Sequence, residues 1–380
     1  MRHLLGIDWR LGPDYPMGIQ DSAVGFASGR LVSAGGFTRH PRDVLRQHPD
    51  AFDGEPSGFT RLTFALNLAD EGSGWQRLPD VPGPARQGAA VAVVDDALYL
   101  MGGMSYAAPH TYRETFRLRC QAGQWAWEEL PGARLPWPAY GAGASTAVVG
   151  PRIYLTATAD FFAPPGVEDP DLHSEAGREG SPVGRALLML DTRCVDRGWQ
   201  RLPDCPGLPL CDAGVAAAGG RVWRLGGIHA PLHPGDGPHY YNAVDSWVFD
   251  PAAETWSRLP DLPPGANRRA LTWQDRYILL VAGYRYGWTR LCDGSRAPAH
   301  SEEERQRDWT SFFEDTVLVF DTATSELGTA DPLLERTSYP SSAVVGDTVY
   351  CLGGEGGPRL WHPATLHIGT VRGPSPAADP

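Results

Sequence analysis

The feature that most restricts how this chain can fold is a stretch that it repeats. Residues 74–103, GWQRLPDVPGPARQGAAVAVVDDALYLMGG, open on Trp75 and turn through Pro79, Asp80 and Pro82. They then run apolar twice around a polar break at Asp95–Asp96 and end on Gly102–Gly103. The same plan returns at 198–227, where Trp199 and Gly227 stand as far apart as Trp75 and Gly103. It returns again, one residue shorter, from Trp256 to Gly283. Two short apolar runs around a turn read as a β-hairpin. A unit that is apolar on both faces needs neighbours on both sides, so such repeats stack.

Followed from the N-terminus, the chain begins in the middle of a repeat. Trp9–Pro16, WRLGPDYP, carries its Trp, Pro, Asp and Pro at the spacings of Trp75, Pro79, Asp80 and Pro82. Two strands around Ser28–Gly29 then end on Gly35–Gly36, a third follows in TRLTFALNL, and Trp75 opens a fourth. The same four-strand order recurs from 88 to about 131, from near 143 to Trp199, from 212 to 260, from 267 to about 332, and from near 339 to the run LHIGTV. Two units depart from the pattern: one has Thr158–Ala159 near its diglycine position, and another has Leu327 in place of the tryptophan. The last unit lacks an outer strand, and WRLGPDYP is the missing piece. A sheet that borrows its last strand from the other end of the chain closes a ring and removes its edges.

Four strands in roughly 50 residues is the kelch period. The runs Tyr99-Leu-Met-Gly102-Gly103 and Tyr350-Cys-Leu-Gly353-Gly354, with the pair Phe249…Trp256, resemble the kelch family of β-propellers over essentially all of residues 3–371. The resemblance implies an all-β, six-bladed kelch-type β-propeller closed by the N-terminal strand. It would form one domain over 1–380, with 372–380 as a disordered tail. Kelch propellers include protein-interaction adaptors, bacterial sialic-acid (N-acetylneuraminate) epimerases, nitrile-specifier proteins and the central domain of galactose oxidase. The nitrile-specifier iron pattern Glu-x3-Asp-x3-His fails here, because Phe312 follows Glu304 and Asp308 where His belongs. The galactose-oxidase copper set cannot be placed in register. In size and layout the chain is most similar to the sialic-acid epimerases.

Composition removes several function classes. There is no lysine among the 33 basic residues, so a lysine Schiff base or lysine general base is excluded. A net charge of −12 argues against nonspecific binding to nucleic acid or to an anionic membrane. The N-terminus, broken by Asp8 and Arg10, lacks the apolar run of a secretory signal, which points to the cytoplasm. The six cysteines contain no CxxC pair and read as reduced structural thiols.

The long insertions, 38–59, 160–184, 228–242 and 284–312, all join a second strand to a third and therefore crowd one rim. Loops of that kind on a rigid scaffold mark a working face. Counting back from each diglycine to the mouth of its inner strand gives Asp21, Gly88, Gly143, Asp212, Asn267 or Arg268, and Tyr339, with Gln20, Arg86, Gln87, Tyr140 and Arg269 as neighbours. Across a six-fold ring Asp21 opposes Asp212, and Arg86 opposes Arg268–Arg269. Arginine forks bind carboxylates, and a carboxyl of raised pKa moves protons. The expected ligand is a polar or anionic small molecule, and the activity an isomerase or mutarotase working on a sugar acid without a cofactor. Tyr284 and Arg285 on an insertion add contacts to it. A kelch scaffold presenting the same face to a protein partner is the alternative. The second alternative is a metal-dependent enzyme using His229, His233 and His239 with loop tyrosines, although their spacing fits no zinc pattern.

Overall fold

The computed structural model describes residues 1–38, 47, 51–53, 58–105, 111–137, 146–156, 182–210, 212–229, 240–266, 268–307, 309–356 and 363–373. They form β-strands and turns with a few short 3-10 helices. No helix among them is long and apolar enough to cross a membrane. Strand Ala23–Ala27 pairs with Arg30–Ala34, that with Thr63–Asn67, and that with Trp75–Leu78, all antiparallel. The same order returns in Ala90–Val94, Ala97–Met101, Thr115–Gln121 and Gln124–Glu129. It continues in Thr146–Val149, Arg152–Thr156, Leu187–Asp191 and Gln200–Leu202. Asp212–Ala218, Arg221–His229, Tyr241–Asp250 and Thr255–Leu259 make the next set. Arg269–Trp273, Tyr277–Tyr284, Phe313–Asp321 and Glu326–Ala330 follow. In the last set Ser341–Val345, Thr348–Leu352 and Leu366–Arg372 receive His3–Leu11 as their outer strand, from Gly6↔Arg372 to Leu11↔His367.

The innermost strands stand side by side in chain order, and Ser341–Val345 lies against Ala23–Ala27. One cavity of about 310 Å³ touches all of these strands, through Val24, Val91, Ala147, Val215, Ala270 and Ala343 among others. The core is not central. It is divided into slabs between neighbouring sheets, such as Tyr99 and Met101 against Leu155 and Leu188, or Leu225 against Leu280 and Phe320. Each sheet is apolar on both faces and hides each face against the next, as the repeat required.

The recurring tryptophans fasten neighbouring sheets by a repeated bond. The indole N–H of Trp75 donates to Pro13 O, that of Trp127 to Pro79 O, that of Trp199 to Ala133 O, and that of Trp256 to Pro203 O. Trp9, on the N-terminal strand, makes the equivalent bond to Asp331 O at 3.0 Å. Leu327 occupies the tryptophan position of its sheet, pairing with Phe320 as Trp256 pairs with Phe249.

The diglycines fix how each inner hairpin meets the rim. Gly226 and Gly227 have φ of 55° and 140°, and a Cβ on Gly227 would run into the carbonyl oxygen of Asp212. In the neighbouring set Ala282 takes the first position at φ 60°. Gly227→Ala is therefore expected to cost about 2 kcal/mol or more by chemical denaturation. Ala282→Gly, which relieves a left-handed alanine, should be neutral or slightly stabilising.

Candidate functional site

The rim is built where the chain enters each inner strand. Asp21, Gly88 and Tyr339 hold the same position in three sheets and share a left-handed φ of 51°, 60° and 52°. The Gly88 N–H donates to Asp21 O at 2.9 Å, tying one entry to the next. Two residues further in, at the rung paired with the residue before each diglycine, stand Ala23, Ala90, Gly214, Ser341 and Arg269. Four of the five are small. The fifth is an arginine that reaches Pro340 O and Asp21.

Arg269 is 4 % exposed; it pairs with one predicted carboxylate, Asp21 at 2 %, and its charge acts on the other, Asp212 at 5 %. Its Nη2 lies 3.7 Å from Asp21 Oδ1, and its Nε donates to Pro340 O at 2.8 Å. Burial raises the Asp21 carboxyl to about 7; Arg269 opposes the rise, while Glu355 and Asp212 add to it. Burial raises Asp212 to about 6, against the pull of Arg269 and the Tyr339 hydroxyl. Gln20 Nε2 donates to Asp21 Oδ2 at 3.2 Å. Asp21 Oδ1, both Asp212 oxygens, Gln20 Oε1 and both Arg269 Nη atoms are buried without a well-formed hydrogen bond inside the protein. Buried polar atoms left this way are costly unless something else satisfies them, so the cluster has donors and acceptors to spare.

Other predicted residues do not join it. Arg86 donates from Nη1 to Gly102 O at 3.0 Å and from Nε to Pro84 O, and stacks over Tyr112. Arg268 donates to Pro263 O and Pro264 O and pairs with Glu314 at 2.9 Å. Arg224 grips Gly184 O and Leu208 O in the same manner. The guanidinium groups of Arg86 and Arg268 thus turn back to hold proline-rich loops, and among the described residues Arg269 is the arginine paired with Asp21. Gln87 is turned toward Met104 Sδ at 3.6 Å. Arg285 is held by Glu304 at 2.8 Å, and Tyr284 packs edge-on against Phe313 and Tyr286. His229 is buried at the end of its strand, 3.0 Å from Pro209 O through Nδ1, with burial lowering its pKa. Tyr140, Gly143, Thr158–Ala159, Asn267, His233, His239 and residues 374–380 lie outside the described residues.

Glu355 is the residue that the repeat could have revealed and did not. It follows Gly353–Gly354, where the other sheets carry Phe37, Met104, Ile228 and Tyr284. Its backbone pairs with Ser338, whose hydroxyl reaches its Oε2 at 3.4 Å, and its charge is felt at Asp21 and Tyr284. An acid at a position otherwise apolar was the available signal.

Comparison with known proteins places this geometry among distant relatives. No family model matches the chain. It is 26 % identical over 217 residues, 48 % of its length and 46 % of the other's, to the Kelch-like protein terF of Aspergillus terreus. It is 24 % identical over 186 residues, 45 % of its length and 47 % of the other's, to the N-acetylneuraminate epimerase of Brucella suis. The matches thus span under half the length of these curated relatives. The solved structure of YjhT superposes with a TM-score of 0.64 at 14 % identity, covering 95 % of this chain and 99 % of that one. The kelch resemblance read from the repeats is borne out, and the fold is an all-β, propeller-like arrangement of small sheets.

Proposed function

We propose that the chain is a single six-bladed propeller, closed by His3–Leu11, that binds a cyclic sugar acid at its axial mouth and interconverts the anomers without a cofactor. The ring is supported by the strand order, by the cavity shared among all inner strands, and by the indole bonds running from sheet to sheet. The sugar-acid reading draws on the likeness to N-acetylneuraminate epimerases.

The observation that carries the chemistry is the pair Asp21 and Asp212, two buried carboxyls whose proton affinities are raised by burial and opposed by the same Arg269. Anomer exchange needs a base and an acid at the same pH. Near neutrality Asp212 is mostly ionised and accepts the proton of the anomeric hydroxyl. The bond from the anomeric carbon to the ring oxygen then breaks as Asp21 delivers its proton to that oxygen. The free aldehyde or ketone rotates, and the reverse transfers close the other anomer. No net proton is gained or lost. The Nη groups of Arg269 are the donors available for the sugar carboxylate.

The test is anomer exchange of N-acetylneuraminate followed by NMR with purified protein. Exchange accelerated far beyond the buffer rate is expected. A buffer-level rate with every sugar acid tried removes the reading.

A further inference from the structure

The insertion after Tyr277–Tyr284 does not stay with its own sheet. Its strand Trp288–Arg290 joins the preceding sheet, pairing parallel with Tyr241–Asp250 at Asn242↔Thr289 and Ala243↔Arg290. One side chain completes the seam. Asn242, wholly buried, donates from Nδ2 to Tyr286 O at 2.8 Å and Trp288 O at 3.0 Å, and its Oδ1 accepts the Tyr286 N–H at 2.9 Å. An amide used this way copies a strand edge and fixes the backbone on both sides of Gly287.

The residue so fixed is aromatic and packs beside the strand partner of Asp212. Tyr286 lies 5.5 Å from Tyr240 at a shallow tilt and 5.0 Å from Tyr284 edge-on. Tyr240, Tyr286 and Tyr339 all pack on the small cluster of Ile228 and Ala266. Ile228 is the strand partner of Asp212, and Tyr339 is the tyrosine whose hydroxyl pulls on the Asp212 carboxyl. The platform thus begins at the rung of Asp212 itself. A cluster that served only to bury itself would be closed like Tyr241, which is 5 % exposed, whereas Tyr240, Tyr284, Tyr286 and Tyr339 are each only half-buried.

We propose that Tyr286, set in place by Asn242, is the surface on which the apolar face of the sugar ring stacks while its anomeric centre meets Asp212. This rests on the reading that the mouth takes a sugar. Tyr286 contacts the ligand, and Asn242 is a positioning residue that acts through it. The face of a pyranose that carries axial hydrogens is apolar and matches an aromatic ring, while its hydroxyls and carboxylate turn toward the acids and Arg269.

Anomer exchange measured against sugar concentration tests the proposal. Tyr286→Ala should raise KM about tenfold with kcat within about twofold. Tyr286→Phe, which keeps the ring, should behave as wild type. Asn242→Ala should move KM in the same direction, and if that variant does not fold the tyrosine pair decides alone. An unchanged KM in Tyr286→Ala, or a loss confined to kcat, overturns the platform while leaving the acid pair standing. If the wild-type protein exchanges no sugar at all, the reading of the mouth fails and the platform falls with it.

Discussion

Asp212→Asn and Asp21→Asn should each lose anomer exchange by about 10²–10⁴-fold, the range general acid–base catalysis contributes, and should each be more stable than wild type above neutral pH. The gain in stability follows from the raised carboxyl pKa values. Asp21 and Asp212 bind protons more tightly folded, at about 7 and about 6, than in the unfolded chain near 3.8. The stability they contribute is complete below about pH 4 and is lost as pH rises through the folded values. At pH 8 both are ionised in a buried place, with a penalty on the order of 2 kcal/mol or more for each. Asparagine has no charge to bury there. The gap between melting curves at pH 5 and pH 8 should be smaller in each variant, which keeps one raised carboxyl, than in wild type, which has two. A variant that loses activity and stability together at pH 8 would assign these residues to the scaffold.

Removal of residues 1–11 should abolish cooperative folding. The strand His3–Leu11 gives antiparallel pairing to Leu366–Arg372, the Trp9 bond to Asp331 O and the Ile7 N–H bond to the Asp331 carboxylate at 2.8 Å. It also buries Leu4, Leu5 and Ile7 against Val317, Val349 and Val371. At roughly 1.5–3 kcal/mol for each buried aliphatic side chain, the loss rivals the whole stability of an ordinary domain, about 5–15 kcal/mol. The exposed edge of Leu366–Arg372 then invites association. A synthetic peptide of residues 1–12 added to the truncated chain should restore the melting transition. A truncated protein that melts like the full chain would contradict closure by this strand.

The repeat made the strand order within each sheet and the pairing of the N-terminal strand with Leu366–Arg372 legible, because both follow from spacing alone. Spacing also set Asp21 and Asp212 at the entries of their inner strands, since counting back from a diglycine fixes where an inner strand begins. Direction was not legible. Arg86, Arg268 and Arg269 stand at neighbouring positions in the count, yet two of them fold back onto proline carbonyls beside Gly83 and Gly265, where the lack of a side chain leaves them room. Arg269, one residue further along, instead donates to Pro340 O and pairs with Asp21. Asn242 was invisible for a different reason: its partners come from the next sheet's insertion, a contact that no periodicity encodes.

The pH dependence of anomer exchange tests the acid pair most directly. With Asp212 required ionised and Asp21 required protonated, kcat/KM of the wild-type protein should be greatest between about pH 6 and pH 7. It should fall on the acid side as Asp212 takes up a proton and on the alkaline side as Asp21 releases one. Asp212→Asn should erase the acid limb from whatever rate remains. A rate that is flat from pH 5 to pH 8, or a profile that Asp212→Asn leaves unchanged, would contradict the assignment of these two carboxyls as base and acid.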